Sequence, residues 1–352
     1  MIKIDGSHGE GGGQILRTSV ALSALTMEPV QIHNIRAGRP NPGLRNQHIG
    51  GINLTGQLVS AEIEGLEVGS KEVTFRPQER RGGMFRHDVG TAGSISLVLQ
   101  AVLPAAVLSP EPVSFVLRGG TDVAWSPPVD YMREVFIPIL HKMGPEIEIL
   151  QKKRGHYPRG GGIVECRVNP VEVLAPLSLF EFGNLKQIGG ISHCVRLPGH
   201  IAERQASTAE KILSERPRAV EIRRVFYPRN DDPHLGPGSG IVLWAESDEG
   251  AIIGSDALGE RRKRAEEVGA EAAGKLLEEL ATGRALDSHL CDMLVPYLAA
   301  ARGTSIVGMT KITSHLETNI WAAHQILGVE ATLEGTRGNP GKLIVNGMEI
   351  SL

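Results

Sequence analysis

Apolar and polar positions along the chain repeat one order of spacings three times. Residues 11–26 carry apolar side chains at helical spacing. After Pro29 the spacing switches to the alternation of a strand over 30–35, a second helical stretch covers 44–59, and two strands lie within 61–75. The order restarts with a helix over 93–108, a strand over 113–117 after Pro112, a helix over 129–143, and strands around 146–150 and 163–168. A third copy runs from a helix over 287–301 through a strand at 305–309 and a helix at 315–327 to strands near 329–333 and 342–345. Each unit therefore reads helix, strand, helix, strand, strand. Helices with one apolar face need a sheet to cover it, so the pattern predicts an α/β (α+β) fold in which three repeats share one core.

The repeats fall at about 1–77, 88–170 and 283–352, and residues 180–280 break the plan. That stretch has its own strands at 191–197, 219–227 and 240–246, a helix near 202–214 and a charged helix over 260–280. It predicts a smaller α/β domain inserted into a large one made of 1–179 and 281–352. Its sparse chemistry points to a scaffold or substrate-guiding role.

Composition narrows the class. Hydrophobic residues make up 41% and charged residues 22%, which excludes disordered and fibrous proteins. The net charge of −3 means that nucleic acid would have to be held by a local patch. One such window exists: residues 30–61 contain no carboxylate but include His33, Arg36, Arg39, Arg45 and His48. Three widely spaced cysteines fit a reducing cytoplasm better than a disulfide framework or a zinc cluster, and no apolar run is long enough to span a membrane.

Common nucleotide motifs fail. Gly269, Gly274 and Lys275 have the P-loop spacing, but Leu276 replaces the required Ser or Thr and the segment reads as helix. The glycines of Gly9-Glu10-Gly11-Gly12-Gly13 miss the dinucleotide fingerprint, yet place bare backbone N–H groups at a helix start, a good anion-binding geometry. In Lys311-Ile312-Thr313-Ser314-His315-Leu316-Glu317-Thr318-Asn319, Ser314 and Glu317 form a capping-box pattern, with Ser314 as N-cap and His315 just inside the helix. An imidazole at the positive end of a helix stays neutral and nucleophilic near pH 7. On the residues alone, a surface histidine at a cap remains an alternative.

That segment, together with Gly9 to Arg17, Ile35-Arg36-Ala37-Gly38-Arg39-Pro40, Gly43 to His48, Gly90 to Ser94 and Tyr157 to Gly162, resembles the RNA 3'-terminal phosphate cyclase family nearly end to end. The resemblance implies three such α/β repeats with an inserted smaller domain. It implies that His315 attacks the α-phosphate of ATP and becomes AMP-bound, that AMP passes to an RNA 3'-phosphate, and that the 2'-OH then closes a 2',3'-cyclic phosphate. Gln100 and the segment His289, Leu290, Cys291, Asp292, Met293 match ATP-contacting positions, although many relatives have tyrosine at His289 and glutamine at Met293. Glu10 matches a ligand for Mg²⁺ or Mn²⁺. Arg17, Arg36, Arg39, Gln47 and His48 match positions associated with the RNA end, where arginine's planar fork suits phosphate oxygens. The implied partner is RNA with a 3'-phosphate, without membrane; a homo-oligomer is left open. Two other readings are a non-catalytic, ribosome-assembly branch of the family, which lacks the histidine, and an enolpyruvyl-type transferase of related repeats.

Overall fold

Short parallel strands joined by a helix recur through the chain, because a βα crossover lets the helix lay its apolar face on the sheet it connects. The computed structural model describes residues 1–214, 219–228 and 230–351. The first unit comprises β1 (Ile2–Asp5), α1 (Gly13–Thr26), β2 (Val30–His33), α2 (Asn46–Leu58), β3 (Glu62–Glu64) and β4 (Val73–Arg76). Its sheet has the order β1-β2-β4-β3, with β1 parallel to β2 and the other pairs antiparallel.

The second unit repeats this arrangement with β5 (Gly83–Asp88), α3 (Ile95–Ala106) and β6 (Val113–Gly119). A helix follows in three pieces: α4 (Val129–Tyr131), a π-helical turn (Met132–Phe136) and α5 (Ile137–His141). The strands β7 (Glu146–Lys153) and β8 (Gly162–Asn169) complete it. Its order, β5-β6-β8-β7, is that of the first sheet. The third unit opens on a two-residue strand, β9 (Ser178–Leu179), and is then interrupted.

The interruption builds a sheet of its own from β10 (Leu185–Val195), α6 (His200–Leu213), β11 (Val220–Val225), β12 (Gly238–Ser247) and β13 (Ile252–Leu258), followed by α7 (Ala265–Ala281). The order is β11-β10-β12-β13. The third unit then resumes with α8 (Ser288–Ala300), β14 (Arg302–Met309), α9 (Ser314–Leu327), β15 (Glu330–Glu334) and β16 (Gly341–Met348), in the order β15-β16-β14-β9. The extra sheet thus occupies the βα connection of the third unit.

Two expectations change. Each unit begins with a strand parallel to the next one, so the plan is strand, helix, strand, helix, strand, strand. The interrupting stretch also has a fourth strand, β13, that the apolar pattern did not mark. Ten of the fourteen α1 residues are buried, because α1 packs among α2, α3, α8 and α9. Through α1, α3 and α8, which touch one another, the apolar sides of the three units form one continuous core. The three cysteines are free and buried. Among the described residues, no helix is long and apolar enough to cross a membrane.

Candidate active site

A cavity of about 840 Å³ lies at the N-terminal ends of α1, α2, α8 and α9, where unpaired backbone N–H groups and the helix dipoles favour anions. The loop before α1 forms one wall. Gly9 has φ +66, and a Cβ there would strike Thr318 Oγ1 of α9; a Cβ on Gly13 would lie 2.6 Å from His48 Nε2. Glycine at these positions brings the loop backbone against α9 and the first turn of α1 against α2. Glu10 is carried between them.

Thr313 is the N-cap of α9: its hydroxyl accepts from Leu316 N at 2.9 Å and donates to Asp292 Oδ1 at 2.6 Å. Ser314, expected as the cap, is instead the first helical residue, and its hydroxyl donates to Glu10 Oε1. Glu317 has turned away to pair with Arg337 at 2.8 Å. The threonine one position earlier wins because its oxygen meets the N3 amide while also holding Asp292 in place. Thr313→Ala should therefore lower stability by about 0.5–2 kcal/mol, whereas Thr313→Ser should retain most of it, as read from unfolding midpoints.

His315 stands on the second helical position with Nε2 3.1 Å from Glu10 Oε2 and Nδ1 3.8 Å from Asp292 Oδ2. Burial lowers its pKa and Arg17 adds to that against the pull of Glu10, so the imidazole is neutral at pH 7 and has a lone pair for attack. The hydrogen bond from Ser314, with the charge of Arg39, holds the Glu10 carboxyl below its usual range. Burial pushes the Asp292 carboxyl up to about 8 despite the Thr313 hydrogen bond. Asn319 closes the frame, donating to Asp292 O at 2.7 Å and accepting from Thr18 at 2.7 Å.

The basic side of the cavity comes from α1, the loop after β2 and the start of α2. Arg39 NH2 lies 3.5 Å from Glu10 Oε2, and Arg36 donates to the carbonyls of Asn41 and Gly43 at 2.8 and 3.1 Å. Burial lowers the Arg17 guanidinium to about 10, and its buried Nε has no partner. Burial and the flanking Arg17, Arg36 and Arg45 push His48 down to about 3. Its Nδ1 accepts from Arg45 N at 3.1 Å, which leaves the proton on Nε2, beside Gly13.

Gln47, Gln100, His289, Asp292 and Met293 also line this cavity, with Gln100 Nε2 3.0 Å from Met293 Sδ. His289 is set by Asp287, the N-cap of α8, which accepts from His289 N and Leu290 N at 3.0 Å and binds Tyr131 and Gly254 N at 2.6 and 2.8 Å. Leu290 and Cys291 do not line it; both are buried in the core. Lining residues outside the expected set include Arg45, Trp125, Asp256 and Lys275. Trp125 is 99% exposed with φ +67, and Asp256 and Lys275 come from the inserted sheet and helix α7. Of these, Arg45 had a signal in the sequence as a member of the carboxylate-free window, and Lys275 had only the P-loop spacing that fails at Leu276.

Glu10, 39% exposed, is a carboxylate on the cavity wall beside several phosphate-suited arginines. Among the described residues, the one group of three converging His, Cys, Asp or Glu ligand atoms lies elsewhere. A cation at Glu10 would thus take most of its shell from phosphate oxygens and water, which suits Mg²⁺ or Mn²⁺ and not a preformed protein cage.

Fold and cavity define an α/β repeat protein with a pocket at helix N-termini that carries a histidine between two carboxylates. A model of the RNA 3'-terminal phosphate cyclase family matches residues 8–333. The chain is 52% identical over 347 residues to the RNA 3'-terminal phosphate cyclase of Methanopyrus kandleri, covering 98% of both chains. It is 52% identical over 350 residues to that of Ignicoccus hospitalis, covering 99% of both, and 51% identical over 345 residues to that of Pyrococcus furiosus, covering 98% of both. The chain belongs to the RNA 3'-terminal phosphate cyclase family. The enolpyruvyl transferase NikO from Streptomyces tendae covers 99% of this chain and 49% of its own at 9% identity, but a TM-score of 0.42 carries no argument.

Proposed function

We propose that this chain is an enzyme that converts an RNA 3'-terminal phosphate into a 2',3'-cyclic phosphate at the expense of ATP, through a covalent AMP on His315. The observation that carries this reading is the convergence of neutral His315, Glu10 and the arginine wall on one cavity at four helix N-termini. It supports the enzyme over a binding-only relative, because the nucleophile stands inside the anion site.

In this mechanism the unprotonated ring nitrogen of His315, whose imidazole lies between Glu10 at Nε2 and Asp292 at Nδ1, attacks the α-phosphorus. The new N–P bond replaces the P–O bond to the β-phosphate, and pyrophosphate leaves. Glu10 would hold the divalent cation, which supplies charge neutralisation for the departing phosphates. Gln100, His289 and Met293 flank the nucleotide. An oxygen of the RNA 3'-phosphate next displaces His315 from phosphorus, giving an RNA-adenylate. The ribose 2'-OH then attacks the terminal RNA phosphorus, losing its proton, and AMP departs. Arg17, Arg36, Arg39 and the Nε2–H of His48, with Gln47, orient the terminal phosphate for both transfers. We assign catalysis to residues 1–179 and 281–352, with residues 180–280 as an inserted domain.

The defining test is a 3'-phosphorylated oligonucleotide with ATP and Mg²⁺ or Mn²⁺. Its terminal phosphate should become phosphatase-resistant, with AMP and pyrophosphate released; a phosphate that stays removable rejects the reading. Arg39→Ala should still take up AMP but pass it to the RNA end roughly 10- to 150-fold more slowly, the loss of about 1.5–3 kcal/mol of charge-assisted hydrogen bonding. Arg39→Lys should recover only part. Single-turnover transfer from the isolated adduct measures this, and parental rates would remove Arg39 from the RNA end. Glu10→Ala should slow adduct formation and be partly rescued by raised metal concentration, checked by initial rates over a metal titration.

A further inference from the structure

A second set of chemistry-bearing side chains lies outside the His315 cavity. Asp122 follows β6, His156 follows β7 and His193 stands near the end of β10, so the second unit meets the inserted sheet here. All three are buried, and one ligand atom from each lies within 4.8 Å of the others. Glycines on β12 clear the space: a Cβ at Gly238 would run into the His156 ring, and one at Gly240 would sit 3.1 Å from His193 Cε1.

Nε2 of His156 and both ring nitrogens of His193 have no hydrogen-bond partner. Buried ring nitrogens rarely stay unpartnered, and the two adjacent neutral rings, with one lone pair each, call for a shared acceptor of those two lone pairs. His193 Nε2 is 3.7 Å from Asp122 Oδ1, so the lone pairs and the carboxylate face a common point. Arg154 binds both Asp122 oxygens at 3.2 and 3.3 Å and Thr121 also donates to Oδ2 at 2.6 Å, so Oδ1 keeps a second lone pair, and Asp130 offsets the guanidinium charge at 2.6 Å.

We propose that Asp122, His156 and His193 bind a divalent transition-metal ion, Zn²⁺ in the first place, and thereby fasten the inserted sheet to the second unit. Two imidazole nitrogens and one carboxylate oxygen suit zinc, with water in the fourth position. A separate cavity of about 1090 Å³, lined by Asp122 and His156, provides the water and the way in. This site is independent of Glu10 and of the nucleotide.

The test uses full-length protein dialysed against chelator and re-equilibrated with Zn²⁺. The parent and Glu10→Ala should each retain a single ion per chain, and adding Zn²⁺ should raise their unfolding midpoints. Folded His156→Gln and His193→Asn should bind Zn²⁺ more than about 100-fold more weakly, beyond the roughly 10- to 100-fold that removing an outer-shell partner costs, and should show no midpoint shift. The parent loaded with Co²⁺ should show the intense visible absorption of a four-coordinate site, a readout that needs no variant. No retained ion, a weak six-coordinate Co²⁺ spectrum, or parental affinity in both variants would overturn the proposal.

Discussion

His315→Ala should carry no AMP after incubation with α-labelled ATP and Mg²⁺ or Mn²⁺, whereas the parent should carry a label that is released in acid and survives in base. The expectation follows from what surrounds each nucleophile on the cavity. Lys275 is tied to Glu271 Oε1 at 2.7 Å and to the Asp256 carbonyl at 3.0 Å, so its nitrogen is engaged away from the His315 side of the cavity. His48 is neutral, but its free lone pair on Nδ1 is taken by Arg45 N. His315 alone combines a lowered pKa with a ring nitrogen beside Glu10, where a metal-bound triphosphate would lie. His315→Asn keeps a polar side chain at the helix start without a nucleophilic nitrogen and should fall to the same background. Peptide mapping of the parent adduct locates the AMP, and label on the alanine variant at the parental level would assign the nucleophile to another residue.

The parts of this arrangement that were legible in the sequence are those written in local periodicity. The long helices α1, α3, α8 and α9 have apolar spacings fixed by a 3.6-residue turn, and their ends match the expected ranges within two residues. The leading strands were not legible, because β1 has four residues and β9 only two; each becomes a strand by pairing in register with β2 or β14, a contact no local window contains. The inserted strand β13 lies between a turn and the charged helix, and its alternation is blurred by Gly254, Ser255 and Asp256. At the site, motifs carried His315, Glu10 and the arginines, which sit at helix starts and in Gly-rich loops whose chemistry is local. Lys275 and Asp256 reach the same cavity only because the inserted sheet is placed against it. The cap of α9 slipped by one residue because Ser314 has Glu317 at capping-box spacing, whereas in the fold Glu317 pairs with Arg337, Ser314 turns to Glu10, and Thr313, held by Asp292, caps the helix.

Arg154→Ala should cost about 3–5 kcal/mol, the largest stability effect expected of a single substitution here. Its side chain is 6% exposed and lies between two carboxylates, Asp122 and Asp130, that are fully covered. Burial acts to lower the guanidinium's pKa, and these carboxylates overcome it and raise it, so the charge is held in the interior. Without Arg154, Asp122 keeps only the Thr121 hydroxyl at 2.6 Å and Asp130 keeps Arg133 at 2.8 Å. A buried carboxylate short of a counter-charge is what makes breaking such a network costly, more than the Coulomb attraction lost. Arg154→Lys should recover a minor part, since one ammonium cannot span both carboxylates in the fork geometry. Adding Asp122→Asn to Arg154→Ala should restore part of the loss by removing the stranded charge, a non-additivity expected of contacting residues. Denaturant midpoints followed by circular dichroism, in the presence of chelator so that no ion at Asp122 contributes, measure all three variants. A shift below about 1 kcal/mol for Arg154→Ala, the range of an exposed pair, would mean that water reaches these carboxylates and that the network does not hold the second unit together.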